Sequence, residues 1–167
     1  MDSVILATDG SCLRRSGPGG WAAILQSPAG EAVYVGNAGH TTSNRMELTA
    51  LLRGLQALAA FRVSHPLAVT VLTDNEVIAL GLNGDLARWA AHDWCALSTH
   101  KPLKDRDLWQ AIAAAVVLDD VHATWNRAHR QRRLHRLNQH ADALARSAAL
   151  FADRQIRHPE MHWLTVS

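Results

Sequence analysis

The chain reads as a mixed α/β protein, a five-stranded sheet with helices packed on it in the order βββαβααβα. Three observations lead there. Residues 3–40 alternate short apolar runs with turn clusters, residues 44–61 switch to helical spacing, and residues 67–73 form a short, continuously apolar run of the kind buried on both faces of a sheet.

Taken in order, residues 4–8 and 21–26 are strand-like. The cluster Arg15-Ser16-Gly17-Pro18-Gly19-Gly20 reads as a turn and Pro28-Ala29-Gly30 as a second one, so residues 3–40 predict an antiparallel meander of three strands. Over residues 44–61 Leu51, Leu55 and Leu58 recur on one face, with Asn44 and Glu47 suited to a helix N-terminus. His65-Pro66 stops that helix. The apolar run at 67–73 is then expected to lie parallel to the first strand through a crossover, with Asp74 at its carboxyl end, where open α/β sheets place ligands. Residues 75–94 predict one or two helices broken near Asn83-Gly84, residues 107–118 a further helix, 121–126 the last strand, and 138–151 an Ala-rich closing helix.

Composition bounds the rest. With 167 residues, 48% of them hydrophobic, one domain with a substantial core is expected. Its extent is taken as residues 1–151, with 152–167 a C-terminal tail. No apolar run approaches the ~18 residues of a membrane span. An acid at Asp2 replaces the basic start of a signal peptide. Two cysteines, Cys12 and Cys95, make neither a disulfide framework nor a zinc site. A cytoplasmic protein away from any membrane is expected. The net charge is only +2, yet residues 127–136 hold five arginines and no acid.

Four carboxylates carry the chemistry: Asp9 before a Gly-Ser turn, Glu47 in the first turn of its helix, Asp74 ending a buried strand, and Asp142 in the last helix. Each has an ordinary explanation, since Glu47 can complete a capping box with Asn44, Asp142 can favour a helix dipole and Asp9 can serve a turn. Capping explains neither a carboxylate on the apolar stripe of Leu51, Leu55 and Leu58 nor one closing a buried strand. If folding gathers all four, their repulsion demands cations, and a pair of Mg²⁺ ions is the usual answer in nucleases.

The words that hold these acids, Asp9-Gly10-Ser11-Cys12, Gly17-Pro18-Gly19-Gly20-Trp21, Thr42-Ser43-Asn44-Arg45-Met46-Glu47-Leu48, Thr73-Asp74, Lys101-Pro102-Leu103-Lys104 with Asp107-Leu108-Trp109-Gln110, and Ala141-Asp142-Ala143-Leu144-Ala145, resemble type 1 ribonuclease H in its bacterial form, in family order. The resemblance implies the ribonuclease H-like fold. It implies an endonuclease, a monomer, that cuts the RNA strand of an RNA·DNA hybrid and leaves 5′-phosphate and 3′-hydroxyl ends. It also implies two Mg²⁺ ions, with Mn²⁺ as the alternative, held by Asp9, Glu47, Asp74 and Asp142, Asp9 bridging them. His129 takes the place of the family's loop histidine, which assists proton transfer or product release, and His135 competes for it. Cys12, Thr42, Ser43, Asn44 and Asn75 fall where the family touches the RNA or a phosphate.

Two departures from the family pattern follow. The basic handle is replaced by residues 88–101, which carry few permanent positive charges; Trp89 and Trp94 there either pack or stack on bases. Asp105 stands where the family has an asparagine near a DNA phosphate, and an anion would repel it. Grip is therefore expected to move to the arginine segment, with Arg127, Arg132 and Arg133 on phosphates. Two other function classes remain: a module that binds hybrids or double-stranded RNA without cutting, against which four intact acids argue, and a phosphoryl transferase of the wider superfamily, for whose extra domains there is no room. His158 and His162 at i, i+4 spacing lack a third metal ligand.

Overall fold

Alternation decides how the first strand sits. In β1 (Ser3–Cys12) Val4 and Leu6 turn to one face of the sheet and Ile5 and Ala7 to the other. The structure, a computed structural model, describes residues 3–61, 67–116, 119–125 and 132–158. β2 (Gly17–Ser27) and β3 (Gly30–Thr41) continue from β1 as the expected antiparallel meander. β4 (Ala68–Thr73) pairs parallel with β1, and β5 (Asp120–Trp125) parallel with β4, giving one sheet in the order β3-β2-β1-β4-β5.

Helices cover both faces. Leu48, Leu51, Leu55 and Leu58 of α1 (Ser43–Phe61) join Val4, Leu6, Val69 and Val71 in the larger core cluster. Ile112 and Trp109 of α4 (Arg106–Val116) extend it. On the opposite face Leu137 and Ala141 of α5 (Arg132–Arg157) close over Ala7, Ile24 and Leu72. Between β4 and α4 the chain breaks where expected: α2 (Glu76–Leu80) runs through a π-helical turn into α3 (Leu86–Ala91), with Gly84 at φ +146°. Beside that break the Asn83 amide donates to the Ala123 carbonyl and accepts from its N–H, so one side chain pairs with the outer edge of β5. No helix of the described residues is long and apolar enough to cross a membrane.

Three expectations need correction. The glycine cluster at 17–20 belongs to β2, and only residues 13–16 turn. Gly19 and Gly20 are there for close approach: a Cβ on Gly20 would stand 2.3 Å from the Ala145 carbonyl oxygen and 2.5 Å from the Ala149 nitrogen of α5. The last helix begins at Arg132, not 138, so half of the anticipated arginine loop is helical. Arginine is a good helix former, and the stripe Leu137, Ala141, Ala145, Ala148, Ala152 gives the helix a continuous buried face. That helix also runs past residue 151, with Ala152 buried and Asp153 paired to Arg14 and Arg157, so the boundary drawn for the tail falls inside a packed element.

Gly20→Ala should therefore destabilise the fold by about 2–3 kcal/mol, because the obstruction is helix backbone that cannot rotate away. Urea unfolding measures it. A loss near zero would show that α5 can slide off β2.

Candidate active site

Four elements deliver one acid each to the same end of the sheet. β1 and β4 are in parallel register at Ala7↔Leu72, and two residues further along each strand direction lie Asp9 and Asp74. Ala7 and Leu72 share the cluster beneath α5, so the two-residue period turns Asp9 to the same face, where Asp142 projects from the helix. Glu47 arrives from the other side. Gly10 makes this possible, since a Cβ there would stand 2.1 Å from the Glu47 nitrogen. Any side chain would lift the N-terminus of α1 off the strand.

The acids are close enough to repel. Burial, then the charge of Asp74, and also those of Asp142 and Glu47, push the Asp9 carboxyl from the usual 3.8 up to about 7, against a hydrogen bond from the Gly10 N–H (2.7 Å) that favours its charged form. Glu47 is likewise raised, by burial first and by Asp74, while a hydrogen bond from the Asn75 amide opposes the shift. Asp74 is exposed at the strand end, its backbone oxygen accepting from the Trp125 indole (3.1 Å). Asp142 accepts from Arg146 Nε one turn on (2.8 Å).

These neighbours dispose of the ordinary explanations. Thr42, not Asn44, caps α1: its Oγ1 accepts from the Arg45 N–H (3.3 Å), and Glu47 makes no return bond to a capping residue. Asp142 sits ten residues into α5, roughly three turns from the dipole it was imagined to serve. The expected position one turn into the last helix was wrong because the helix starts earlier.

Two of the anticipated RNA contacts hold the site together. Ser43 Oγ donates to the Gly10 carbonyl (3.5 Å), and the Cys12 thiol faces the carbonyls of Gly17 and Thr41 at 3.7 and 3.5 Å. Asn75 caps α2, accepting from Val77 and Ile78, while its amide donates to Glu47. Asn44 is engaged elsewhere. Its amide donates to Asp105 (2.6 Å), and Arg45 reaches both Asp105 (3.0 Å) and Asp107 (2.8 Å). The repulsion expected of Asp105 is therefore largely answered within the protein: its carboxylate is 9% exposed and covered by a guanidinium. Trp89 packs edge-on against Trp109, centroids 4.9 Å apart, and both are core residues; Trp94 packs against the same cluster. None of the three is a free stacking platform.

His129 and Arg127 lie outside the described residues, as does His162. Arg132, Arg133 and His135 fall in the first turns of α5. Reading the sequence alone missed Arg45, Arg146 and Asn75 as partners of acids. The Arg146 pairing had a signal in its i, i+4 spacing from Asp142; the others join residues 28 to 62 positions apart, which no local pattern reveals.

Among the described residues no three Asp, Glu, His or Cys side chains are already drawn together as ligands. Asn75 engages Glu47 and Arg146 engages Asp142. The donor chemistry nonetheless fits a hard divalent cation: the converging groups offer carboxylate oxygens only, which suits Mg²⁺ or Mn²⁺ over softer metals, and the raised Asp9 carboxyl marks a cluster short of positive charge. One turn before Asp142, Asn138 Oδ1 is buried without a partner, an acceptor that a water could satisfy.

Comparison with known proteins agrees with this architecture. The family model described as RNase H matches residues 1–150. The ribonuclease H of Hydrogenovibrio crunogenus is 38% identical over 148 residues, spanning 89% of this chain and 96% of its own length. That of Aromatoleum aromaticum is 37% identical, spanning 92% and 95%. Among solved structures, a type 1 RNase H with a type 2 active-site motif superposes with a TM-score of 0.74 at 26% identity, over 91% of this chain and 74% of that one. The foamy viral protease–reverse transcriptase bound to an RNA/DNA hybrid shares the fold, with a TM-score of 0.68 at 20% identity over 89% of this chain and 20% of that one.

The raised Asp9 carboxyl sets a pH dependence. Between about pH 4 and 7 the folded protein keeps a proton that the unfolded chain has released, so stability falls as pH rises through that window and levels off above it. Metal-free wild type should lose stability from pH 5 to 8. Asp9→Asn should lose less and be more stable at pH 8 by about 1–2 kcal/mol, roughly half the full linkage because the group is partly solvated. Saturating Mg²⁺ should reverse that order. Thermal unfolding in chelator at the two pH values checks it, and parallel curves for the two proteins would contradict it.

Proposed function

Because the chain belongs to the RNase H family, matched over residues 1–150, we propose that it is a metal-dependent endonuclease hydrolysing the RNA strand of RNA·DNA hybrids. The observation that carries the site assignment is the electrostatic convergence of Asp74, Asp142 and Glu47 on Asp9.

In this reading Asp9, Glu47, Asp74 and Asp142 would hold two divalent ions, Mg²⁺ by preference. Bound there, such ions would supply the positive charge these acids lack and the Lewis acidity for hydrolysis of the RNA strand to 5′-phosphate and 3′-hydroxyl ends. The chain's own work is placement. Asp9 and Asp74 are carried on adjacent strands, and Gly10 lets Glu47 close the set from α1. Ser43 and Cys12 are read as the groups that meet the RNA minor groove, where a 2′-hydroxyl distinguishes the strand to be cut. Thr42, Asn44 and Asn75, which like Ser43 and Cys12 bond within the protein, are read as supporting those contacts. His129 is read as the loop histidine that helps the proton or the product leave.

Grip on the duplex is assigned to Arg127, Arg132 and Arg133. Arg132 and Arg133 open α5, and no acid occupies its first turn. Cations at a helix N-terminus oppose the dipole, so their placement costs stability that a phosphate ligand would return. The enzyme is read as a monomer working in the cytoplasm.

Incubation with labelled RNA·DNA hybrid, RNA duplex and DNA duplex, with Mg²⁺ or chelator, tests the activity. Cleavage is expected of the hybrid's RNA strand alone and only with metal. Asp9→Asn and Asp74→Asn should each lose more than the ~10–100-fold that removal of an outer-shell partner costs. Cleavage surviving in either variant would remove that acid from the site. For the grip, Arg132→Ala with Arg133→Ala should flatten the slope of log affinity against log salt by about 1.8, and an unchanged slope would place the phosphate contacts elsewhere.

A further inference from the structure

Glu47 is held by a residue that follows another acid directly. The Asn75 side-chain oxygen accepts from the Val77 and Ile78 N–H groups at 2.9 and 3.2 Å. Those two donors settle which way the amide faces, since only its oxygen can accept them, so the NH₂ is the group turned to Glu47 Oε2. The backbone is pinned as well: the Asn75 N–H donates to the buried Thr73 hydroxyl (3.1 Å), and the Asp74 carbonyl accepts from the Trp125 indole (3.1 Å). Asn75 thus has no freedom to follow Glu47; Glu47 must follow Asn75.

We propose that Asn75 is a positioning residue that fixes Glu47 as a one-oxygen metal ligand, tying it to the Asp74 turn so that acids from α1 and β4 are presented as one unit. The inference rests on Glu47 being a metal ligand. With Oε2 taken by the amide, Oε1 is left for coordination, and among the described residues it has no hydrogen-bond donor of its own. A glutamate side chain has several rotatable bonds, and ordering it before a cation arrives removes an entropic cost from binding. The requirement is specific. The residue after Asp74 has to be an N-cap that also carries a donor long enough to reach Glu47; asparagine meets both conditions, whereas ionised aspartate has no donor and the serine hydroxyl, though a donor, is carried on a shorter side chain.

The test is Mg²⁺ binding measured by titration calorimetry without nucleic acid, on wild type, Asn75→Ser, Glu47→Gln and the double variant. Serine keeps the cap of α2 but is too short to reach Glu47, so Asn75→Ser should melt within about 2 °C of wild type in chelator. Its Mg²⁺ dissociation constant should rise about tenfold. In the Glu47→Gln background the same substitution should change nothing. At saturating Mg²⁺ the KM for hybrid should stay at the wild-type value. An unchanged dissociation constant, or a weakening that persists without Glu47, would overturn the proposal. So would a raised KM with Mg²⁺ affinity intact, which would make Asn75 a contact to the substrate. Cleavage plays no part in the calorimetry, so a wild type that bound Mg²⁺ yet spared every hybrid would refute the nuclease reading and leave Asn75 to be judged on affinity.

Discussion

Acids that repel one another are brought together here by backbones packed too closely for any side chain to intervene. At Gly10 the N-terminal turn of α1 lies directly on β1, and at Gly20 the body of α5 lies directly on β2. The two contacts are on opposite faces of the sheet. Between them they fix how far each helix advances toward the carboxyl ends of β1 and β4, and so how near Glu47 and Asp142 come to Asp9. What resists the repulsion is the burial of Leu6, Leu48, Leu51 and Leu55 on one side and of Ala7, Ile24, Leu72 and Ala141 on the other. Each fully buried aliphatic side chain contributes about 1.5–3 kcal/mol. Several together exceed what a few partly solvated carboxylates can oppose, so the cluster persists as a strained feature of a fold stabilised elsewhere.

The strand and helix pattern was legible because it is local. Apolar runs, a helical leucine stripe and a glycine break report on residues within a few positions of one another, so the order of the strands and helices and the break at Gly84 lie where they were read, although β2 starts earlier, at Gly17. Two of the acids were legible for a different reason: Glu47 on an apolar stripe and Asp74 at the end of a buried strand violate the local pattern, whereas Asp9 and Asp142 had ordinary local explanations and stood out only by the family-like words that hold them. What stayed hidden was set at long range. Gly19 and Gly20 look like part of a turn until the helix and side chains that crowd them are in view. Arg132 to Arg136 look like a loop until the buried alanine face of α5 shows why the helix starts early. Asp105 looked like an exposed anion because Asn44 and Arg45, some sixty residues away, were not visible beside it.

Four acids from four elements are not all held alike, and the difference bears on how the site fills. Glu47 is half-buried and tethered to an amide whose own position is fixed by two backbone donors. Releasing it would leave an unpaired donor beside the core. Asp142 is bonded to Arg146, with the two side chains 41% and 67% exposed. An exposed i, i+4 pair of this kind is worth only about 0.3–0.5 kcal/mol, far less than a divalent charge offers a carboxylate. Arg146 therefore does not hold Asp142 away from a cation; it keeps the acid company until one arrives. Asp9 and Glu47, partly buried and hydrogen-bonded, form the more rigid part of the nest and the half-exposed Asp142 an adaptable part. The acid with most freedom to move is thus the one on α5, half-exposed and held only by a neighbour on its own helix.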